Sequence, residues 1–142
     1  MALNSIRPKA VFVGFLVDFG GSLIVGFVLA IGLGLFAVAS RDVSPAHLTH
    51  LRANVALKIA GLIGTLIATT LGGYVAARIG HPAFVTNAVG AGMLSLVVSF
   101  GFWLAEPAGV TPAWKAISGL LLTLPAAALG GILAAKTARS RA

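Results

Sequence analysis

Between Lys9 and Arg41 the chain runs 31 residues with one charged side chain, Asp18. As a helix that segment covers about 46 Å at 1.5 Å per residue, more than the roughly 30 Å of a bilayer's hydrocarbon core. A helix apolar on every face has to be buried all round, and at this length lipid is the solvent that does it. Two further segments are fenced by cations at bilayer spacing: 19 residues lie between Lys58 and Arg78, and 20 between Lys115 and Lys136. A fourth runs from Pro82 to Trp103, with Glu106 beyond it. In hydrocarbon a backbone can satisfy its own hydrogen bonds within one segment only as a helix. The expected fold is therefore all-α, a polytopic membrane protein with four transmembrane helices near residues 9–39, 45–79, 82–104 and 112–136, in one domain over 1–142.

Composition agrees. Charged residues make up 9% of the 142 and mean hydropathy is +1.04, against about 25% charged residues in a soluble domain. The net charge of +7 comes from cations standing almost wholly between or outside the apolar segments, which fits lipid headgroups and topology signals, not a nucleic-acid-binding face. Cysteine is absent, so there is no disulfide framework and no thiolate metal site.

Proline punctuates the segments. Pro8, Pro45, Pro82 and Pro112 stand at or just before helix starts, where a missing N–H costs nothing. Ser44 and Thr111 are the expected N-caps. Pro125 falls inside the last helix, where a kink is expected. Ala37-Val38-Ala39 resembles a signal-peptide cleavage site, but the apolar run before it is about twice an h-region, so the first segment reads as a retained span. With the N-terminus inside, Arg7, Lys9, Arg78, Lys136, Arg139 and Arg141 are cytoplasmic, against Arg41, Arg52, Lys58 and Lys115 outside. That excess predicts cytoplasmic termini in a cell inner (plasma) membrane. Trp103 and Trp114 flank the third loop, at headgroup level.

An internal repeat follows. Leu71-Gly72-Gly73-Tyr74-Val75-Ala76-Ala77-Arg78 returns 58 residues later as Leu129-Gly130-Gly131-Ile132-Leu133-Ala134-Ala135-Lys136. Two related helical hairpins are expected, with Gly72-Gly73 and Gly130-Gly131 as equivalent helix-packing positions. Measured from these pairs, the second helix has about nine extra residues at its far end, and the first is long by a similar amount, so the first hairpin is expected to project outward. Small residues recur every four positions on each helix: Gly14, Asp18, Ser22, Gly26, Ala30 and Gly34; Gly61, Thr65, Thr69, Gly73 and Ala77, beside Gly64, Ala68, Gly72 and Ala76; Asn87, Ala91, Ser95 and Ser99; Gly119, Thr123, Ala127, Gly131 and Ala135. Such rows let backbones approach, and the ordinary reading is packing within the bundle; an oligomer is the other use.

Asp18 asks for more. Insertion costs about 2.5–3.5 kcal/mol for a mid-helix acid, and the 18 Leu, Ile, Phe and Val residues of its helix each return roughly 0.3–0.6. The helix inserts, but the acid still needs a partner or a proton. Its depth matches Thr69 and Thr70, and Thr69, Thr70 and Asn87 complete a candidate intramembrane polar site. An acid there marks an ion or proton path by default; the plainer reading is a protonated Asp18 hydrogen-bonded to Thr or Asn, fixing helix register. His47-x-x-His50 lacks the further ligands of a metal shell and reads as a solvated or headgroup pair. His81 reads as interfacial, and Tyr74 as an aromatic anchor. The Gly-Gly pairs lie inside apolar helices, which excludes a phosphate loop. No catalytic residues, cofactor site or metal site are legible.

Gly72-Gly73-Tyr74-Val75-Ala76-Ala77-Arg78, followed by Asn87-Ala88 and a glycine-rich third helix, resembles small uncharacterised four-helix membrane proteins of bacteria. The resemblance rests on the second and third helices and implies no activity. The motifs of small multidrug transporters and fluoride channels are not present. The leading expectation is a non-enzymatic bundle that assembles with itself, as a homo-oligomer, or with a larger membrane protein in the lipid bilayer, without nucleic acid. The alternative is a minimal oligomeric proton- or cation-coupled transporter using Asp18.

Overall fold

With no water to bond, the backbone of each apolar run closes its own ladder. The computed structural model of the protein describes residues 6–107 and 110–140, and these are helical apart from turns and short links. Five helices follow one another: α1 (Pro8–Ala39), α2 (Pro45–Ala53), α3 (Val55–Ile79), α4 (Phe84–Ala105) and α5 (Ala113–Arg139). Four of them, α1, α3, α4 and α5, are long and apolar enough to cross a membrane. Arg141, counted above among the cytoplasmic cations, lies outside the described residues.

The helix expected over 45–79 is two helices. Asn54 leaves the helical region at ψ 123°, and its Oδ1 accepts the Ala56 N–H at 2.9 Å, so one residue ends α2 and caps α3. Asparagine competes with the helix through this local bond, which the hydropathy pattern does not register. The extra length of the second segment is thus a separate short helix and not a straight extension. Ser44 caps α2 as expected, accepting the His47 N–H at 3.3 Å. Thr111 does not cap α5: Pro112 holds that position, with no side-chain hydrogen bond. A cis His81–Pro82 bond lies in the turn before α4, which begins at Phe84. Helix α5 runs through Pro125 and continues to Arg139.

Helix α3 is the hub, touching α1, α4 and α5, while α1 and α5 meet at most marginally. Its two small rows do different jobs. Gly61, Gly64, Ala68, Gly72 and Ala76 face α1, meeting Leu29, Val25, Gly21, Asp18 and Gly14 in antiparallel order. The seam on α1 is therefore 14, 18, 21, 25, 29 and not the strict row of fours. Each step of four overshoots a full turn by roughly 40°, so the row drifts off the interface. Gly26 and Gly34 consequently face open space.

The Gly-Gly pairs meet each other at one depth. Gly73 lies against the backbone of Ala127, and Gly130 against the Thr70 carbonyl and the Tyr74 amide, so α3 and α5 touch backbone to backbone. The outer members turn away: Gly72 faces Gly14 and Asp18 of α1, and Gly131 faces Val85 and Ala88 of α4. Contact roles are exchanged within the repeat, since the first glycine of one pair corresponds in use to the second of the other. Equal depth is as expected; equivalent contact roles for the two hairpins are not found.

Candidate functional site: an acid at the blind end of a cleft

All four spans pack closely together at the end that carries residues 8, 79, 84 and 139, while toward the other end close contact persists between α1 and α3. Small side chains make that possible: Ala10, Gly14, Gly72, Gly73, Ala76, Ala77, Ala88, Ala91, Gly92, Ala127, Gly130, Gly131 and Ala134 are all buried. A Cβ on Gly92 would stand 2.6 Å from that of Ala127, and one on Gly14 2.5 Å from that of Ala76. Asn87 ties off this closed end. Its Nδ2 donates to the carbonyls of Gly80 (3.1 Å) and Ala83 (2.8 Å), and its Oδ1 accepts the Arg7 N–H at 2.7 Å. Tyr74 packs against the Ala77, Ala88 and Ala134 cluster, its hydroxyl lies 3.4 Å from Thr137 Oγ1, and Arg78 sits over its ring.

Toward the other end the rows continue, but with larger and more polar members. There the helices leave a cleft of about 630 Å³. Asp18 and Ser22 of α1, Thr65 and Thr69 of α3, Ser95 and Ser99 of α4, and Gly119 and Thr123 of α5 line it. Phe15, Phe19 and Phe102 are its aromatic wall, with the Phe19 and Phe102 rings stacked 6.4 Å apart across α1 and α4. Trp103, Glu106, Thr111 and Lys115 surround the mouth. The level between Gly14, Gly72, Gly92 and Ala127 on one side and Asp18, Thr69, Ser95 and Thr123 on the other is the floor.

Asp18 is 6% exposed, as is Thr69, and Thr69 Oγ1 donates to Asp18 Oδ1 at 2.8 Å. Ser22 Oγ lies 3.5 Å from the same oxygen, at the limit of a hydrogen bond. Thr69 Oγ1 is also 3.0 Å from the Thr65 carbonyl, so its single hydrogen serves one acceptor at a time. Among the described residues no Lys, Arg or His lies within ion-pairing distance of Asp18; the one such pair there is His47–Asp42, at 3.5 Å beside α2. Ser95 is 7% exposed, and its hydroxyl oxygen has no hydrogen-bond partner.

Of the polar set expected from the sequence, Asp18 and Thr69 come together. Thr70 does not join them: its hydroxyl donates to the Leu66 carbonyl at 2.9 Å, and its own carbonyl lies against Gly130. Asn87 belongs to the closed end. Ser95, Thr65 and Thr123 were not singled out, although each stands in a small row on the far side of the Gly-Gly level, the half where those rows turn polar. His47 turns to Asp42, and among the described residues no three His, Asp or Glu side chains gather closely enough to hold a metal. In comparison with known proteins, no family model, curated protein or solved structure matches the chain.

Proposed function

We propose that this chain is a minimal cation-binding carrier of a cell membrane, with Asp18 as the group that takes a proton or cation from the cleft. The cleft carries this reading: a buried acid at the blind end of a largely apolar cleft, beside a few hydroxyls, is reached from one end of the bundle and shut off from the other by close helix packing. That is the arrangement of one half of an alternating-access cycle, in which a site is exposed to one face at a time. With both termini cytoplasmic, as the cation count favours, the cleft opens to the outside.

The assembly reading keeps one observation. Gly20, Gly26, Gly32 and Gly34 of α1 have nothing facing them, so a neighbouring helix could approach there. Its main motive weakens, however, because most small-row residues are consumed in contacts within the chain.

Reconstitution separates the two. Proteoliposomes with the parent chain should collapse an imposed pH gradient faster than empty vesicles, and Asp18→Asn should fold and reconstitute normally but fail to do so. Parent flux equal to that of empty vesicles would leave assembly as the better reading.

A further inference from the structure

The chemistry of the cleft wall narrows what Asp18 meets. Two of the hydroxyls lining it have given their hydrogens to their own helices: Thr65 Oγ1 donates to the Leu62 carbonyl at 2.9 Å, and Thr123 Oγ1 to the Gly119 carbonyl at 2.7 Å. A threonine whose hydrogen is spent on the backbone offers only lone pairs outward. Together with the Asp18 carboxylate, these lone pairs make the deep wall rich in acceptors. Ser95 adds a hydroxyl oxygen, more than nine-tenths buried and without a partner, on the same wall. A buried polar atom left unpaired is costly and marks a place where a ligand can bond.

A divalent inorganic cation is a poor match. Calcium takes about 6–8 oxygens and magnesium about six, and the blind end offers one carboxylate and a few hydroxyls. The cleft of about 630 Å³ has a size within the range of small-molecule sites, so it has room for more than the proton that Asp18 takes. The Phe15, Phe19 and Phe102 side chains offer apolar area to the body of an organic cation.

We propose that the cleft binds a protonated primary or secondary amine with an apolar, aromatic-sized body. Its N–H groups donate to Asp18 and Ser95, and its body lies along the phenylalanine wall. This rests on the carrier reading above and names the class of its substrate.

The test uses the full chain in mild detergent with Trp114 replaced by Phe. Trp103, which borders the cleft, then reports alone. The probe is 2-phenylethylammonium, compared with neutral 2-phenylethanol and with trimethyl(2-phenylethyl)ammonium, which keeps the charge but has no N–H. The primary ammonium should change Trp103 fluorescence saturably, and the other two should bind at least about tenfold more weakly, the loss of one charged hydrogen bond. Ser95→Ala should weaken it about three- to tenfold, and Asp18→Asn more, with elution volume and helicity unchanged. Equal binding of alcohol and ammonium, or no saturable response to any probe while Thr123→Cys still reacts with an aqueous thiol reagent, overturns the amine assignment and leaves the cleft standing. Failure of Thr123→Cys to react, in a folded variant, overturns the cleft reading itself.

Discussion

Adding one methyl group at the α3–α5 contact tests the packing most sharply. A Cβ at Gly130 would overlap the Thr70 carbonyl oxygen and stand 2.6 Å from the Tyr74 amide nitrogen. One at Gly73 would overlap the Ala127 carbonyl oxygen and stand 2.9 Å from its Cα. Carbon atoms rest at roughly 3.5–4.0 Å, so the helix axes must part by about 1 Å. The opposing atoms are backbone and cannot rotate aside, which places the cost near the top of the ~1–3 kcal/mol range for overpacking. Alanine's better helix propensity returns at most about 1 kcal/mol. The net loss expected for Gly73→Ala or Gly130→Ala is about 2 kcal/mol, roughly 30-fold in the unfolding equilibrium. Gly26→Ala is the control: nothing lies within 4 Å of its Cβ, so stability should hold or rise slightly. Unfolding in mixed micelles with rising dodecyl sulfate, followed by far-UV circular dichroism, reads all three. Equal losses at positions 26, 73 and 130, or no loss at 73 and 130, would refute backbone contact through these glycines.

Larger residues extend the comparison: Gly131→Leu should disrupt the fold in detergent, whereas Ile132→Leu, on a half-exposed position, should cost under about 1.5 kcal/mol by the same assay. Asn87→Ala removes both ends of the tie between α1, the α3–α4 turn and α4, and should lower stability by about 2–4 kcal/mol, again read by micelle unfolding. For orientation, an impermeant thiol reagent on intact cells should label His47→Cys and spare Ser140→Cys; the reverse pattern would invert the topology. Asp42 gives a pH test: the Ser44 hydroxyl and backbone N–H, helped by nearby His47, hold its exposed carboxyl below the usual range. A folded value below the unfolded one contributes order to this turn above the unfolded value and loses it as pH falls through the folded one. An NMR titration should therefore show the Asp42 carboxyl carbon titrating below a free aspartate, and Ser44→Ala should move it back up.

The membrane-spanning helices were legible because apolar length and bracketing charges are one-dimensional signals. The break at Asn54 was not, since a side-chain cap competes with a helix only locally and leaves hydropathy unchanged. The Asp18–Thr69 contact followed from counting depth back from Arg78 along a small row. Thr70 and Asn87 were grouped with it wrongly: adjacent helix positions point about 100° apart, and Asn87 lies eight residues before Ser95, its row-mate at the cleft, so it reaches only the closed end. The cleft itself depends on where helices splay, which no single helix records. Its trace in the sequence is the change from Gly and Ala to polar residues just past the Gly-Gly level in four rows: Gly14 to Asp18 and Ser22, Gly73 to Thr69 and Thr65, Ala91 to Ser95 and Ser99, and Ala127 to Thr123.

The cysteine-free sequence allows the division into a closed and an open half to be measured directly. Single cysteines at Ser99, Thr123, Ala91 and Ala127 sample the cleft wall and the packed floor on α4 and α5. Rates of reaction with a water-soluble methanethiosulfonate, in protein reconstituted in nanodiscs, should be fast at positions 99 and 123 and slower by at least about a hundredfold at 91 and 127. Comparable rates at all four positions, or fast reaction at 91 and 127 alone, would contradict a cleft that opens at the Glu106–Lys115 end and stops at Asp18.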